Sequence, residues 1–276
     1  MSFITVGQEN SAPIELYYED QGSGQPVVLI HGWPLNGASW EKQTAALLAA
    51  GHRVITYDRR GFGRSSKPSV GYDYDTLAAD LEAVLVQLDL VETDIVGFSM
   101  GGGEVARYLA KYGSARIRRA GLLAAVTPFL LKSSDNPEGV DAAVFAGIRQ
   151  AIVADRPAFL WDFLHNFYNA DVLGGQRISE RTIEANWNLA ATASAKATLD
   201  CVNAWIEDFR SDLQAIDVPT LVIHGDADRI LPVDSTGRRA AKLIADVNYV
   251  ELPGAPHGLL WTHAEEVNRA LLAFLK

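Results

Sequence analysis

The stretch TDIVGFSMGGGEVARYLAKYG, residues 93–113, places a serine between two glycines where one sequence pattern changes into another. Its first part is a short apolar run that is typical of a buried strand, and its last part has the spacing of a helix. A chain that turns from strand to helix within one residue has little room there, and Gly97 and Gly101 relieve the crowding because they lack Cβ atoms. The pattern predicts that Ser99 is a nucleophile, with the backbone N–H of Met100 directed at an oxyanion.

A serine hydroxyl is a weak nucleophile until a base takes its proton, so a histidine is expected after Ser99 in the chain. Three histidines lie in the strand-rich part that follows: His224, His257 and His263. His257 is favoured because it lies in the loop GAPHG, where small residues and proline let its side chain reach across the end of a sheet. We expect His224, at the end of TLVIHG, to pack or cap there, and His263 to begin the final helix.

The base needs a carboxylate that orients it, and the segment HGDADRILP, residues 224–232, contains two candidates. Asp226 follows Gly225 directly, a position that suits a structural turn. Asp228 lies further into the loop, where its carboxylate can reach the imidazole Nδ1. The spacing favours Asp228 as the acid and leaves Asp226 as the alternative.

The segment LIHGWPLNG, residues 29–37, is expected to supply the second oxyanion donor, the backbone N–H of Trp33. The Trp33 ring would then also form a wall of the substrate pocket. His31 is interpreted as a hydrogen-bonded organiser of this loop. Pro34 is predicted to contribute to substrate binding, because its fixed φ would hold the Trp33 carbonyl in one orientation, although simple loop stiffening explains it equally well.

Around these segments, short apolar runs alternate with amphipathic ones, as in βαβ units. The runs are PVVLI, RVITYD, TDIVGF, RRAGLLAAV, PTLVIHG and NYVELPG. FITV and IELYYED, closed by the turn-rich QGSGQP, are expected to form an N-terminal hairpin. Residues 75–90 are predicted to be a helix that Asp75 caps. The pattern therefore predicts an α/β protein with a mostly parallel eight-stranded sheet and helices on both faces.

The strand–helix alternation stops between about residues 127 and 212, where aromatic-rich helical sequence is found without a clear strand. We interpret residues 1–126 and 213–276 as the core domain and residues 127–212 as a helical cap over the carboxyl ends of the strands. Four aromatic residues of this cap are candidates for lining the site, although helical aromatics usually belong to a core: Trp161, Phe163, Trp187 and Trp205.

Composition restricts the class of protein. The 276 residues carry a net charge of −10, which argues against a nucleic-acid or anionic-membrane partner. The single cysteine, Cys201, cannot form an intrachain disulfide and is interpreted as a small core residue. No signal peptide or membrane span is evident, so a cytoplasmic location is expected. No metal ligand set is apparent, and no cofactor is predicted.

The chain resembles the cofactor-free, non-heme haloperoxidases of bacteria, a group with the α/β-hydrolase fold that also includes aryl esterases and a γ-lactamase. The matching stretches run from end to end, and include LYYEDQGSGQPVVLIHG, RVITYDRRGFGRSS, GFSMGGGEVARY, WIEDFRSD and GAPHGLLWTHAEEVN. The resemblance implies Ser99 as nucleophile, Asp228 as acid, His257 as base, and the N–H groups of Trp33 and Met100 as oxyanion donors. It also implies a homo-oligomer.

Two departures from the group concern the shape of the pocket. Trp33 stands where some members have Phe or Tyr, and the elbow reads MGGGE where close relatives read MGTGE. The triad residues are unchanged, so these differences bear on substrate preference rather than on the chemistry.

The resemblance implies a route in which a small carboxylic acid or ester acylates Ser99, and His257 activates hydrogen peroxide or water against the acyl group. A peracid formed in this way would oxidise halide away from the enzyme. A lactamase or lactonase acting on small cyclic amides or esters is the alternative. A non-catalytic ligand receptor on the same fold is a third hypothesis, against which the intact set of Ser99, Asp228 and His257 speaks.

Overall fold

The apolar runs of the sequence form one eight-stranded sheet in the computed structural model, which describes residues 2–276. The strands are β1 (Ser2–Glu9), β2 (Ala12–Gly22), β3 (Pro26–Ile30), β4 (Arg53–Tyr57), β5 (Thr93–Phe98), β6 (Ile117–Leu123), β7 (Thr220–Gly225) and β8 (Val247–Leu252). Their order is β1-β2-β4-β3-β5-β6-β7-β8. Strands β3 to β8 pair in parallel, while β1 and β2 are antiparallel, so the predicted mostly parallel sheet of eight strands is confirmed.

The N-terminal hairpin forms, but its turn was predicted in the wrong place. Strands β1 and β2 are joined at Asn10 and Ser11, whose φ angles of 49° and 67° are those of a tight hairpin turn. The segment QGSGQP instead connects β2 to β3. Asn-Ser is a weaker turn signal than the glycine-rich segment, so sequence patterns favour a turn at the latter.

Helices follow the strands and cover both faces of the sheet. They are α1 (Glu41–Ala49), α2 (Tyr74–Gln87), α3 (Met100–Tyr112), α4 (Ala142–Phe167), α5 (Ala170–Leu173), α6 (Glu180–Ala191), α7 (Ala195–Ala204), α8 (Arg210–Gln214), α9 (Gly237–Ala240), α10 (Leu259–Thr262) and α11 (Ala264–Phe274). Helix α1 contacts α10 and α11, whereas α3 contacts α2 and α8. These are the two helix layers of an α/β fold.

The start of α2 corrects the predicted cap. Asp73, not Asp75, is the N-cap residue, and its carboxylate accepts hydrogen bonds from the backbone N–H and the hydroxyl of Thr76, both at 2.9 Å. Asp75 lies in the first turn and forms an ion pair with Arg107 at 3.0 Å. The helix also ends at Gln87, three residues before the predicted end.

The segment between β6 and β7 is helical, as predicted, and contributes α4 to α8. Helix α4 is kinked at Asp155, which has non-helical backbone angles, just before Pro157. Residues 128–140 are mainly irregular, with isolated bridges such as Leu131–Val140. The division into a core of residues 1–126 and 213–276 and a cap of residues 127–212 stays a prediction.

A continuous cluster of buried side chains joins the sheet to this inserted segment. It extends from Leu29 and Ile95 in the sheet to Leu164 in α4 and Val202 in α7. None of the helices within residues 2–276 is long and apolar enough to cross a membrane. The sheet and the inserted helices therefore share one apolar interior, and the residues considered below lie at the boundary between them.

Candidate active site

Ser99 lies in the sharp turn between β5 and α3, in a strained backbone conformation with φ 55° and ψ −118°. Hydrogen bonds to neighbouring segments hold it there: its N–H donates to Leu123 at 2.8 Å, and its carbonyl accepts from Val126 at 3.2 Å. A Cβ atom at Gly97 would lie 2.2 Å from the Gly101 carbonyl oxygen, and one at Gly101 would lie 2.3 Å from another backbone oxygen. Both glycines are therefore required by close backbone contacts, as predicted.

The structure brings the three residues of the predicted triad together. The Ser99 hydroxyl lies 2.9 Å from His257 Nε2, and His257 Nδ1 lies 2.7 Å from Asp228 Oδ2. Because Nδ1 faces a carboxylate, it carries the ring proton, and Nε2 is free to accept the proton of the serine. All three side chains are buried, with exposed fractions of 6% for Ser99, 1% for His257 and 5% for Asp228. The geometry is that of a nucleophile, a base and an orienting acid.

The Asp228 carboxylate is surrounded by N–H groups. Its Oδ1 accepts hydrogen bonds from the backbone N–H groups of Ile230, at 2.9 Å, and Leu231, at 2.7 Å. Burial by itself opposes the charge, but His257 and His224 outweigh it, so the pKa of Asp228 lies well below its usual range. The acid is therefore ionised at neutral pH, as the orienting role requires.

The loop after β3 lies directly against the nucleophile. A Cβ atom on Gly32 would lie 2.9 Å from Ser99 Cβ, which leaves no space for a side chain at this point. Among residues 2–276, no group accepts a hydrogen bond from the backbone N–H of Trp33 or of Met100, the first residue of α3. Two N–H groups beside the serine are thus without a partner among the described residues, and their role as oxyanion donors stays a prediction.

His31 organises this loop and is not available as a base. Its Nε2 accepts the backbone N–H of Arg59 at 2.9 Å, and its Nδ1 lies 2.9 Å from the Gly32 carbonyl. Burial and the nearby guanidinium of Arg59 hold the pKa of His31 well below its usual range. Arg59 also bonds the His31 carbonyl at 2.8 Å and forms a buried ion pair with Glu104 at 2.9 Å. The predicted structural role of His31 agrees with these contacts.

An aromatic cluster from α4 and from the end of α7 packs against the Trp33 ring, with Trp205 directly after α7. The ring centroids of Phe163 and Trp205 lie 5.0 and 4.8 Å away in edge-to-face contact, and Phe159 is at 6.4 Å. The indole N–H of Trp33 donates to the carbonyl of Thr198 at 3.2 Å. The inserted helices therefore reach the loop beside the nucleophile.

Two of the four aromatic candidates line a different cavity. The ring centroids of Trp161 and Trp187 lie 6.2 Å apart in edge-to-face contact. Both residues line a separate surface cavity of about 480 Å³, and none of the triad residues lines it. The helical spacing that places Phe163 on one face of α4 places Trp161 on another. Only Phe163 and Trp205 of the predicted set contact Trp33.

The other candidates occupy structural positions. Asp226, the alternative acid, accepts a hydrogen bond from the Gly254 N–H at 2.6 Å and is not in the triad. His263 immediately precedes α11, as expected. Cys201 is fully buried, and burial raises the pKa of its thiol to about 12, which agrees with a core residue. Pro34 is buried directly after Trp33, and its role in binding stays a prediction.

Two residues outside the predicted set contact the triad. Phe167, at the end of α4, packs edge-on against the His257 ring with centroids 4.9 Å apart, and His224 Nε2 lies 3.3 Å from Asp228 Oδ2. The four-residue spacing of His224 and Asp228 was visible in the sequence, but it does not show how the loop between them folds. Within residues 2–276 there is no cluster of three or more side chains suited to holding a metal ion.

Comparisons with known proteins agree with this arrangement. Residues 25–264 match the family with the α/β-hydrolase fold. Over the full length of both chains, the protein is 63% identical to a chain of Synechocystis that is provisionally named a non-heme chloroperoxidase. It is 35% identical to a bifunctional esterase/perhydrolase of Acinetobacter calcoaceticus, covering 95% of this chain and 96% of the other.

A solved structure is similar throughout. The bromoperoxidase from Bacillus anthracis superposes with a TM-score of 0.95 at 50% identity, and the match covers 99% of each chain. The likeness therefore extends over the sheet and the inserted helices alike. The chain belongs to the α/β-hydrolase family and, within it, to the group of enzymes that includes the non-heme haloperoxidases.

Proposed function

We propose that this protein is a serine-dependent hydrolase and perhydrolase that forms an acyl-enzyme on Ser99. The observation that carries the proposal is the buried series of hydrogen bonds from Ser99 through His257 to Asp228, with lengths of 2.9 and 2.7 Å. Relatives that are named esterase/perhydrolase and bromoperoxidase support the same chemistry.

In the first half of the proposed reaction, Ser99 Oγ attacks the carbonyl carbon of an ester or a carboxylic acid while its proton passes to His257 Nε2. The negative charge that develops on the carbonyl oxygen is accepted by the N–H groups of Trp33 and Met100. The imidazolium, held by Asp228, then gives its proton to the leaving group, which departs as an alcohol from an ester or as water from a carboxylic acid, and the acyl group remains on Ser99.

In the second half, water or hydrogen peroxide loses a proton to His257 and attacks the acyl carbon. The bond to Ser99 Oγ breaks, the serine regains the proton, and the product is a carboxylic acid from water or a peracid from peroxide. A released peracid transfers one oxygen atom to a halide ion, which gives the carboxylic acid and a hypohalite. Halogenation is then a consequence of perhydrolysis, and none of these steps uses a metal or an organic cofactor.

We assign the choice between water and peroxide to the loop around Trp33 and Pro34. Among residues 2–276, no group donates a hydrogen bond to the Trp33 carbonyl, so this oxygen is free to accept one from peroxide. Pro34 limits the rotation of the chain directly after that carbonyl. The aromatic rings against Trp33 favour a compact, apolar acyl group. A cytoplasmic location and assembly into a homo-oligomer remain proposals from the sequence.

The test is a substrate panel measured on the wild type and on Ser99→Ala. The panel contains phenyl acetate, acetate with hydrogen peroxide, and a bicyclic γ-lactam. We expect esterase and peracid-forming activity in the wild type, and a loss of about 10⁴-fold or more in Ser99→Ala, because no other group can carry the acyl chain. Labelling by a fluorophosphonate, read by intact mass, should disappear in the same variant.

Ser211→Ala is the matched control, because this serine is exposed at the start of α8 and its hydroxyl makes no hydrogen bond within residues 2–276. It should keep full activity and labelling. Peracid formation that persists in Ser99→Ala would refute the proposal. A wild type that prefers the γ-lactam by kcat/KM would instead identify the alternative lactamase function, and failure to label with any acylating probe would favour a non-catalytic receptor.

A further inference from the structure

His224 lies next to the triad acid and has no part in the reaction described above. It is the penultimate residue of β7, and its side chain is fully buried. Asp228 follows four residues later, after the loop that leaves the strand. The imidazole therefore lies beneath the loop that carries the acid.

The contacts of the ring identify the nitrogen that carries its proton. Nε2 lies 2.8 Å from the carbonyl oxygen of Leu231, which can only accept, so Nε2 must be the donor. Nδ1 is buried and has no hydrogen-bond partner among residues 2–276. A proton on Nδ1 would be buried without an acceptor, so the neutral ring with its proton on Nε2 fits this environment.

The nitrogen Nε2 itself lies 3.3 Å from Asp228 Oδ2, the oxygen that accepts the His257 hydrogen bond. Leu231 links the two groups a second time, because its N–H donates to Asp228 Oδ1 at 2.7 Å while its carbonyl accepts from His224. We propose that His224 is a positioning residue that fixes the Asp228 carboxylate for His257, through the Leu231 peptide and through direct contact with Oδ2.

The surroundings of His224 hold its ring in one orientation. A Cβ atom on Gly237 would lie 2.7 to 2.8 Å from three atoms of the side chain, so α9 packs closely against the imidazole. The hydroxyl of Thr236 lies 3.3 Å from Nε2. On β8, Glu251 is the register partner of His224, but its carboxylate pairs with Arg238. The acidic group that contacts the ring is therefore Asp228.

This inference rests on the proposed function, because Asp228 needs positioning only if His257 acts as the base. The test compares His224→Leu, which removes the donor and keeps an apolar side chain, with His224→Gln, whose amide N–H lies near the position of Nε2. We expect His224→Leu to lower kcat for phenyl acetate about tenfold with KM changed less than twofold, because the acid loses its fixed orientation.

The acid limb of the kcat/KM profile of His224→Leu should move to higher pH by about half a unit, because a carboxylate without the polar imidazole beside Oδ2 binds the proton shared with His257 more strongly. His224→Gln should restore kcat to within about threefold of the wild type and return the acid limb to its wild-type position. The downfield proton resonance of the His257 Nδ1–H should change in His224→Leu alone. A role in packing alone would predict lower thermal stability in both variants with an unchanged profile.

Asp228→Asn separates the two proposals. If Asp228→Asn keeps wild-type activity, the proposed triad fails and this inference fails with it. If Asp228→Asn is impaired while His224→Leu has wild-type kcat and an unshifted acid limb, the inference alone is refuted. In the positioning role, adding His224→Leu to Asp228→Asn lowers kcat by less than twofold, because the group that it positions is already lost.

Discussion

At the scale of single residues, the close contact between the oxyanion loop and Ser99 sets the geometry around the nucleophile. Gly32 brings the backbone of the oxyanion loop within contact of Ser99 and Phe98, because a Cβ atom there would lie 2.9 Å from Ser99 Cβ and 2.8 Å from a ring carbon of Phe98. Three backbone hydrogen bonds hold the serine in place, and the Phe98 ring is buried. Displacing either of them would therefore cost free energy. A side chain at position 32 would therefore displace the loop that carries the Trp33 N–H.

Gly32→Ala is accordingly expected to lower kcat/KM for phenyl acetate by about 10- to 100-fold, because an oxyanion donor displaced by about 1 Å loses most of its effect. Gly147→Ala is the control, since that glycine lies inside α4 and an added Cβ meets no atom within 4 Å. It should leave kcat/KM unchanged and stabilise the protein by about 0.5–1 kcal/mol in urea denaturation. Wild-type kcat/KM in Gly32→Ala would show that the loop has more freedom than these contacts allow.

At this scale, residues with a local signature could be predicted and those that depend on a loop path could not. Ser99 and its two glycines follow from one short pattern, and His257 follows from its place after a strand. Asp228 was preferred over Asp226 by spacing, and the observed contacts of both agree with that preference. The contact of His224 with Asp228 depends on how residues 225–231 fold back over β7, for which no sequence pattern exists.

At the scale of elements, the end of α4 connects the two loops that carry the base and the acid. The carbonyl of Phe167 accepts the N–H of Gly258, next to His257, at 2.8 Å. Two residues later, the Asn169 side chain donates to the carbonyl of Ala227, next to Asp228, at 2.9 Å. Asn169 has a left-handed backbone with φ 48°, a conformation that asparagine tolerates better than most residues. One helix end therefore holds both loops in place.

Removing this connection should reduce stability in two steps. Asn169→Gly keeps the left-handed backbone but loses the hydrogen bond to Ala227, which costs about 1 kcal/mol in urea denaturation. Asn169→Ala also adds backbone strain of about 1 kcal/mol, so it should be the less stable variant. Asn166→Ala, at an exposed position of α4, should change the free energy of unfolding by less than about 0.5 kcal/mol. Equal losses in Asn169→Gly and Asn169→Ala would show that the backbone conformation is not strained.

The elements themselves were predictable where their signal is local. Buried strands such as β5 and β7 follow from continuous apolar runs between helical segments. The start of α2 was placed two residues too late because Asp73 and Asp75 both have the chemistry of a cap. Asp75 forms an ion pair with Arg107 of α3. This contact joins distant parts of the chain, so local helix propensities cannot predict it.

At the scale of the whole molecule, hydrogen bonds connect the inserted helices to the rest of the chain at several separate places. Ser194 donates to the carbonyl of Gly61 at 2.8 Å, and Lys67 donates to the carbonyl of Thr192 at 2.7 Å. The Trp33 indole N–H donates to the Thr198 carbonyl, and the end of α4 is hydrogen-bonded to the loops that carry His257 and Asp228. Composition and alternation predicted an insertion, but its docking depends on side chains that meet only in the folded chain. The shared apolar cluster suggests that neither part is stable without the other.

We therefore expect residues 127–212 to unfold together with the sheet in one transition. Trp187→Phe tests this, because the indole N–H of Trp187 donates to the Pro157 carbonyl at 2.9 Å, so both partners lie within the inserted segment. Losing that bond should lower the free energy of unfolding by about 1 kcal/mol with an unchanged urea m value. Unfolding is followed by far-ultraviolet circular dichroism, by loss of esterase activity and by the remaining tryptophan fluorescence. All three transitions should shift to lower urea concentration by the same amount, because a protein that unfolds in one cooperative step gives the same midpoint with every probe. The contrary result is a separate transition at low urea concentration that shifts in Trp187→Phe while the main transition stays fixed. It would mean that the inserted helices unfold independently of the sheet. The hydrogen bonds at Ala227, Gly258 and Gly61 would then be too weak to couple the inserted helices to the sheet.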